Sequence, residues 1–186
     1  MQFSEFQHLT HEVGTAILVL LYLLRLIIHL RRRPARDLAS NPKGDIWDGT
    51  VAAFLTIIAP WRMESTRKHR TRYAEFVIFH LGVAAAIILS FVIPYGPGLL
   101  TPSVVLVTQL ITGAACAVGI IRMVRRLRSP YMRAISSPDD YFSLTLLTAW
   151  LFSAVLAAPN SIERGEGPLL AFFILTAFFL IYVPFS

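Results

Sequence analysis

The sequence predicts an all-α integral membrane protein of five transmembrane helices plus one interfacial helix, with the N-terminus outside and the C-terminus cytoplasmic. Three observations carry this. Of 186 residues, 55% are hydrophobic and 15% charged, with a mean hydropathy of +0.62, which is more apolar than a soluble domain. Five stretches, about 13–30, 75–93, 103–121, 141–158 and 168–184, come close to the roughly 20 apolar residues that a spanning helix needs. The basic residues also segregate. The apolar runs lack the alternation of barrel strands, which leaves helices as the way to satisfy the backbone in lipid.

The first run has no basic segment before it and no small-residue cleavage site after it, so it reads as a retained span and not a signal peptide. Between spans one and two lies IWDGTVAAFLTIIAPW, about 46–61. It is short and basic on both flanks, and Trp47, Val51, Phe54, Leu55 and Ile58 recur at helical spacing. This predicts a helix lying in the interface. The second and third spans are joined by YGPGLLTP (95–102), an uncharged turn rich in Gly and Pro. Before the fourth span, Ser137-Pro138-Asp139-Asp140 is a helix start: an N-cap, a proline at the first helical position and two acids in the first turn. PNSIERGEGP (159–168) precedes the fifth span. No internal repeat divides residues 1–186, which read as a single membrane domain.

With five alternating spans, every Lys and Arg except Arg164 falls on one side. The positive-inside rule makes that side cytoplasmic. The formal charge of +6 therefore reports topology and anionic lipid, and a partner is not a nucleic acid. A basic face of this kind also suits docking of an acidic iron–sulfur subunit.

The single cysteine, Cys116, lies in mid-span and can form no disulfide within the chain. There is no CxxCH for covalent haem, no HExxH and no phosphate-binding glycine loop. Acids sit at span ends or in loops: Glu75, Asp139 and Asp140 inside, Glu163 and Glu166 outside. No carboxylate relay of a proton pump is present.

Five histidines remain. His69 belongs to the basic loop STRKHR. His8 and His11 share a helix face before span one, and with Glu12 they are candidates for a quinol site on the outer side. His29 closes span one beside the arginines, and Arg25 is the one strong charge inside that span. His80 lies five residues past Glu75, roughly 7–8 Å along a helix. An imidazole there must find a partner: a hydrogen bond to a neighbouring helix, or iron of a b-type haem. Gly82, Ala84, Ala85 and Ala86, with Gly113, Ala114, Ala115, Ala117 and Gly119 on span three, admit either a macrocycle or a close helix contact.

RRLRSPYMRAISSPDDYFSLTLL (125–147), APWRMESTRKHRTRYAEFVIFHLGV (59–83) and the closing LIYVPFS (180–186) resemble the gamma subunit of respiratory nitrate reductase. They resemble still more the cytochrome b subunits of sulfate reducers' transmembrane redox complexes. The likeness covers most of 47–186. It implies a multi-pass subunit of a bacterial or archaeal cytoplasmic (inner) membrane. Such a subunit passes electrons between quinone and attached iron–sulfur or multihaem cytochrome c subunits, through haem b held by histidine pairs. It is not itself the catalytic subunit. His80 matches the second-helix ligand of the cytoplasmic-side haem. The family's next histidine falls on Ser90 and its fifth-helix histidine near Phe172, so the second haem is expected to be absent. The partner of His80 in the family lies a few residues past PFS, which implies a tail beyond Ser186. The other candidate is His29, with Arg25 beside a haem propionate. Two further readings are a haem-free membrane anchor of such a complex, and an unrelated transporter or assembly factor.

Overall fold

A computed structural model of the chain describes residues 3–32, 45–58, 68–161 and 166–185. Its helices are α1 (Phe3–Arg31), α2 (Ile46–Ile58), α3 (Arg70–Tyr95), α4 (Pro102–Arg128), α5 (Pro130–Ile135), α6 (Pro138–Ala157) and α7 (Gly167–Tyr182). Single 3-10 turns occur at Pro97–Leu99 and Val183–Phe185. No strand occurs among the described residues. Residues 59–61 of the predicted interfacial helix lie outside the described residues. So do Arg33, Arg36, Lys43, Arg62, Arg67, Glu163, Arg164 and Ser186.

Four helices, α1, α3, α4 and α6, are long and apolar enough to cross a membrane. The expected fifth span, α7, has 16 residues. It reaches about 24 Å, short of a hydrocarbon core of about 30 Å. Its flank is the 3-10 turn at Val183–Phe185. The first span differs in the other direction. α1 has 29 residues and starts ten residues before the apolar run, because FSEFQHLTHEV keeps a helical spacing that hydropathy alone does not register. A short helix, α5, also stands in the loop before α6.

Each of α4, α5 and α6 starts in the same way. Thr101, Ser129 and Ser137 are N-caps whose hydroxyls accept from Val104, Met132 and Asp140 amides, and proline follows each cap. Proline costs nothing there, since that amide has no intrahelical acceptor. At Ser137 the Asp140 carboxylate accepts the Ser137 amide at 2.8 Å, which completes a capping box.

The helices pack in the ring order α3, α4, α6, α7, α1, and the ring closes over a short stretch between α1 and α3. α3–α4 and α4–α6 are the broadest interfaces. Small residues make them close. A Cβ built on Gly82 would lie 2.1 Å from the Ala115 Cβ, and one on Gly119 would lie 2.4 Å from the Thr148 hydroxyl. The stripes that admit either a macrocycle or a helix contact are thus spent, at Gly82, Ala86, Ala115 and Gly119, on helix packing. Polar side chains tie the helices further. Gln109 donates to the Val155 carbonyl at 2.9 Å, from α4 to α6. Trp150 donates to the Thr176 hydroxyl at 2.8 Å, from α6 to α7. Among the described residues α2 shares no broad packed interface with the bundle, and Trp47, Val51, Phe54 and Leu55 are exposed.

Helix directions alternate, so one end of the bundle collects the starts of α3 and α6 and the ends of α4 and α7. Glu75 meets Arg125 there, Arg126 meets Asp140, and the Tyr182 hydroxyl donates to Asp139.

Gly82→Ala is expected to lower stability by about 1–3 kcal/mol, because the methyl overpacks the α3–α4 contact. Unfolding in mixed detergent measures this, with Gly98→Ala as the control; Gly98 has open space around it.

Candidate functional site

The face of α1 that carries His11, Thr15, Leu18 and Tyr22 repeats every three or four residues. It lines a cavity of about 280 Å³ together with Ile87, Ser90 and Phe91 of α3, Trp150 of α6 and Thr176, Phe179, Leu180 and Val183 of α7. Most of the wall is apolar. Trp150 is anchored in it, stacked on Phe172 at 6.1 Å and on Phe179 at 5.4 Å between ring centroids. The Thr176 hydroxyl accepts from Trp150 and donates to the Phe172 carbonyl. The Ser90 hydroxyl donates to the Ile87 carbonyl at 2.7 Å.

Two polar groups in this wall have no such use. The Thr15 hydroxyl is buried and has no hydrogen-bond partner among the described residues. His11 is 3% exposed. Its ring meets Phe91 edge-on at 4.4 Å and Tyr95 at 5.7 Å, and neither ring nitrogen finds a hydrogen-bond partner among the described residues. His8 packs on Tyr95 at 5.1 Å, and the Tyr95 hydroxyl points to Glu12 at 3.5 Å. The expected outer polar face is thus divided: Glu12 is exposed, His8 is half-buried and His11 is inside. Spacing alone could not tell this, since it predicts a shared face but not what the face meets.

The other candidate residues lie toward the opposite end. His80 is exposed on α3, and its Nδ1–H donates to the Phe76 carbonyl at 2.7 Å. Phe76 also packs against the ring at 3.9 Å. In the neutral ring this fixes the tautomer and leaves the Nε2 lone pair free. His80, Ala84, Ile87, Phe91 and Tyr95 form one stripe of α3, and its last three members face α1. On α1, Arg25 and His29 continue the stripe of His11, Thr15 and Tyr22. They line an open groove formed by α1 residues alone. His80 and His29 are therefore on the facing sides of α3 and α1 but not level. The pairing of His11 with Phe91 in antiparallel register sets Tyr22 opposite His80, and His29 lies about 10 Å further along.

The positions matched to the family's other histidines are both interior. Ser90 lines the cavity beside Trp150, and Phe172, with no exposed surface, stacks on the same indole. Cys116 is buried and donates to the Thr148 carbonyl at 3.7 Å. Among the described residues no group of three or more His, Cys, Asp or Glu is arranged to hold a metal ion. His69 precedes α3 and is exposed.

At the basic end, Nη1 of Arg125 donates to both Glu75 oxygens, at 3.1 and 2.9 Å. Arg126 donates to the Ser136 hydroxyl at 2.6 Å and lies 3.7 Å from Asp140. The Arg122 guanidinium sits 5.1 Å over the Phe79 ring. These contacts hold the RRLRSPYMRAISSPDD segment against α3 and α6.

No family model, curated protein or solved structure matches this chain.

Glu75→Gln is expected to cost about 1 kcal/mol, because the pair is partly solvated and charge-assisted. Adding Arg125→Gln should recover part of that loss. A double-mutant cycle read by thermal unfolding checks the coupling.

Proposed function

We propose that the chain is a cytochrome b-like membrane subunit. In this reading it passes electrons between the quinone pool and an attached redox subunit through one b-type haem. The observation that carries the reading is His80. Ligating histidines usually donate the non-ligating ring N–H to a carbonyl, which fixes the ring and makes the other nitrogen more basic. His80 has that arrangement through Phe76, with Nε2 free and directed off the helix. An imidazole left this way in hydrocarbon needs an acceptor for its lone pair, and ferrous or ferric iron is a suitable one. When bound, a b-type haem supplies a one-electron carrier at this depth. The protein's part is to hold the ring of His80 and exclude water with Phe76 and Phe79. The offset of about 10 Å between His80 and His29 supports a second axial ligand from outside the described residues.

In this reading the basic end faces the cytoplasm, α7 is the fifth span, and α2 lies in the cytoplasmic interface. The segregation of Arg and Lys supports that orientation. The cavity beneath His11 is the quinone side. It is apolar, and it offers His11 and Thr15 as unspent hydrogen-bonding groups among the described residues. His8, Glu12 and Tyr95 stand between it and the aqueous phase. In this reading the substrate-reducing centre belongs to another subunit, of the iron–sulfur or multihaem cytochrome c kind.

A second reading, a haem-free anchor of such a complex, is favoured by the interior occupied by Ser90, Trp150 and Phe172. One experiment separates the two. In a dithionite-reduced minus oxidised spectrum, the purified chain should show a b-type band at about one haem per chain. His80→Ala should abolish it and His29→Ala should leave it. A colourless wild-type protein that still copurifies with redox subunits would establish the anchor instead.

His11→Phe, which fills the polar end of the cavity, should slow reduction of the haem by a quinol analogue at least tenfold. The dithionite-reduced spectrum should stay unchanged. Stopped-flow absorbance measures both.

A further inference from the structure

The second half of α1 stands clear of the bundle. Every residue from Tyr22 to Arg32 is exposed, and Leu24, Leu26, Ile27, Ile28 and Leu30 present 45–76% of their surfaces. Such a surface belongs in lipid. Yet one stripe of it is polar. Tyr22, Arg25, His29 and Arg32 are spaced three, four and three residues apart, which puts them on one side of the helix. They line an open groove of about 590 Å³. Arg25 and Arg32 have no carboxylate partner among the described residues; the acids that pair at this end, Glu75 and Asp140, are engaged by Arg125 and Arg126.

We infer that this groove binds an anionic phospholipid through its phosphates. A guanidinium inside an apolar span is costly unless it meets a countercharge, and no side chain described here supplies one. Snorkelling would carry a single arginine to the headgroup level. It does not account for a second arginine, a histidine and a phenol on the same side of the helix. Arg25 and Arg32 are about 10 Å apart along the axis, wide for one phosphate and suited to a lipid that carries two. The planar fork of arginine matches phosphate oxygens, and His29 and the Tyr22 hydroxyl add donors between and beside the two. The leucines and isoleucines that flank the stripe would line the acyl chains. Basic pockets at the ends of membrane helices take such headgroups. The inference does not depend on the haem, and it gives Arg25 and His29 a role separate from His80.

Native mass spectrometry of the purified chain, titrated with cardiolipin, phosphatidylcholine or inorganic phosphate, tests it. Cardiolipin should be retained well above phosphatidylcholine, and inorganic phosphate at the same concentration should not displace it. The double variant R25Q/R32Q should weaken cardiolipin about 25-fold, with the helical circular dichroism and any haem band unchanged. R128Q/R133Q removes the same charge from the segment before α6 and should leave cardiolipin binding as it was. His29→Gln alone should weaken it by a smaller factor. Equal losses in the two double variants would reduce the effect to bulk charge and overturn the site. Equal retention of phosphatidylcholine, or displacement by inorganic phosphate, would overturn it as well. Loss of the haem band in R25Q/R32Q would assign Arg25 to the haem and not to lipid.

Discussion

A polar group in hydrocarbon must be partnered within the protein, and most of this bundle is organised by that requirement. Between α6 and α7 the Trp150 indole donates to the Thr176 hydroxyl, which passes its own proton to the Phe172 carbonyl. Thr112 and Thr148 donate back to the carbonyls of Thr108 and Leu144. Gln109 crosses from α4 to α6. The Trp150 and Gln109 bonds each fix a pair of helices in rotation as well as distance, and glycine and alanine at the α3–α4 and α4–α6 contacts then allow the close approach. The exceptions stand out against so complete an accounting. They are the Thr15 hydroxyl and His11 in the cavity, Nε2 of His80, and the Arg25 guanidinium. Each exception coincides with one of the places where a ligand has been argued.

All four lie on α1 or on the face of α3 that looks toward it. This follows from how the ring closes. α3, α4, α6 and α7 are joined by extended interfaces, whereas α1 leans on α7 and meets α3 only near His11, Phe91 and Tyr95. A helix held along one side leaves space beneath it, and its polar residues are not forced into pairs with neighbours. The tight part of the bundle supplies rigidity, and the loosely joined helix supplies the sites. A scaffold of that kind suits a subunit whose chemistry depends on what it holds between helices.

Much of the architecture was legible in the sequence. The apolar runs on α3, α4 and α6 are long and uninterrupted, and Ser137, Pro138 and Asp140 encode a helix start through local chemistry that tertiary context does not alter. The apolar run marks the span from residue 13, whereas the helix starts at Phe3. Hydropathy discards Glu5, His8, His11 and Glu12, although a polar residue can sit in a span when its neighbours are aromatic rings. The same blindness hid the burial of His11, since i,i+3 spacing reports a face and not its environment. α5 is one and a half turns long, too short for periodicity to show. His80 was singled out because an imidazole in an apolar run is conspicuous. The bond that fixes its tautomer comes from Phe76, one turn back, and follows from helix geometry once the helix is granted.

The arginines show why residue type alone does not determine a role. Arg125 and Arg25 are both at helix ends rich in cations. Arg125 faces α3, where its Nη1 meets both oxygens of Glu75, so its charge is spent on joining helices. Arg122 is nearby and finds the face of Phe79. Arg126 is shared between a hydroxyl and a carboxylate. Arg25 lies on the α1 stripe that turns toward α3, but beyond the stretch where α1 packs on the bundle, so the same guanidinium has no acid among the described residues. A lipid phosphate, as inferred above, would supply its countercharge. What distinguishes a structural arginine from a binding one in this bundle is therefore the helix that faces it, which is fixed by the ring order and not by the local sequence.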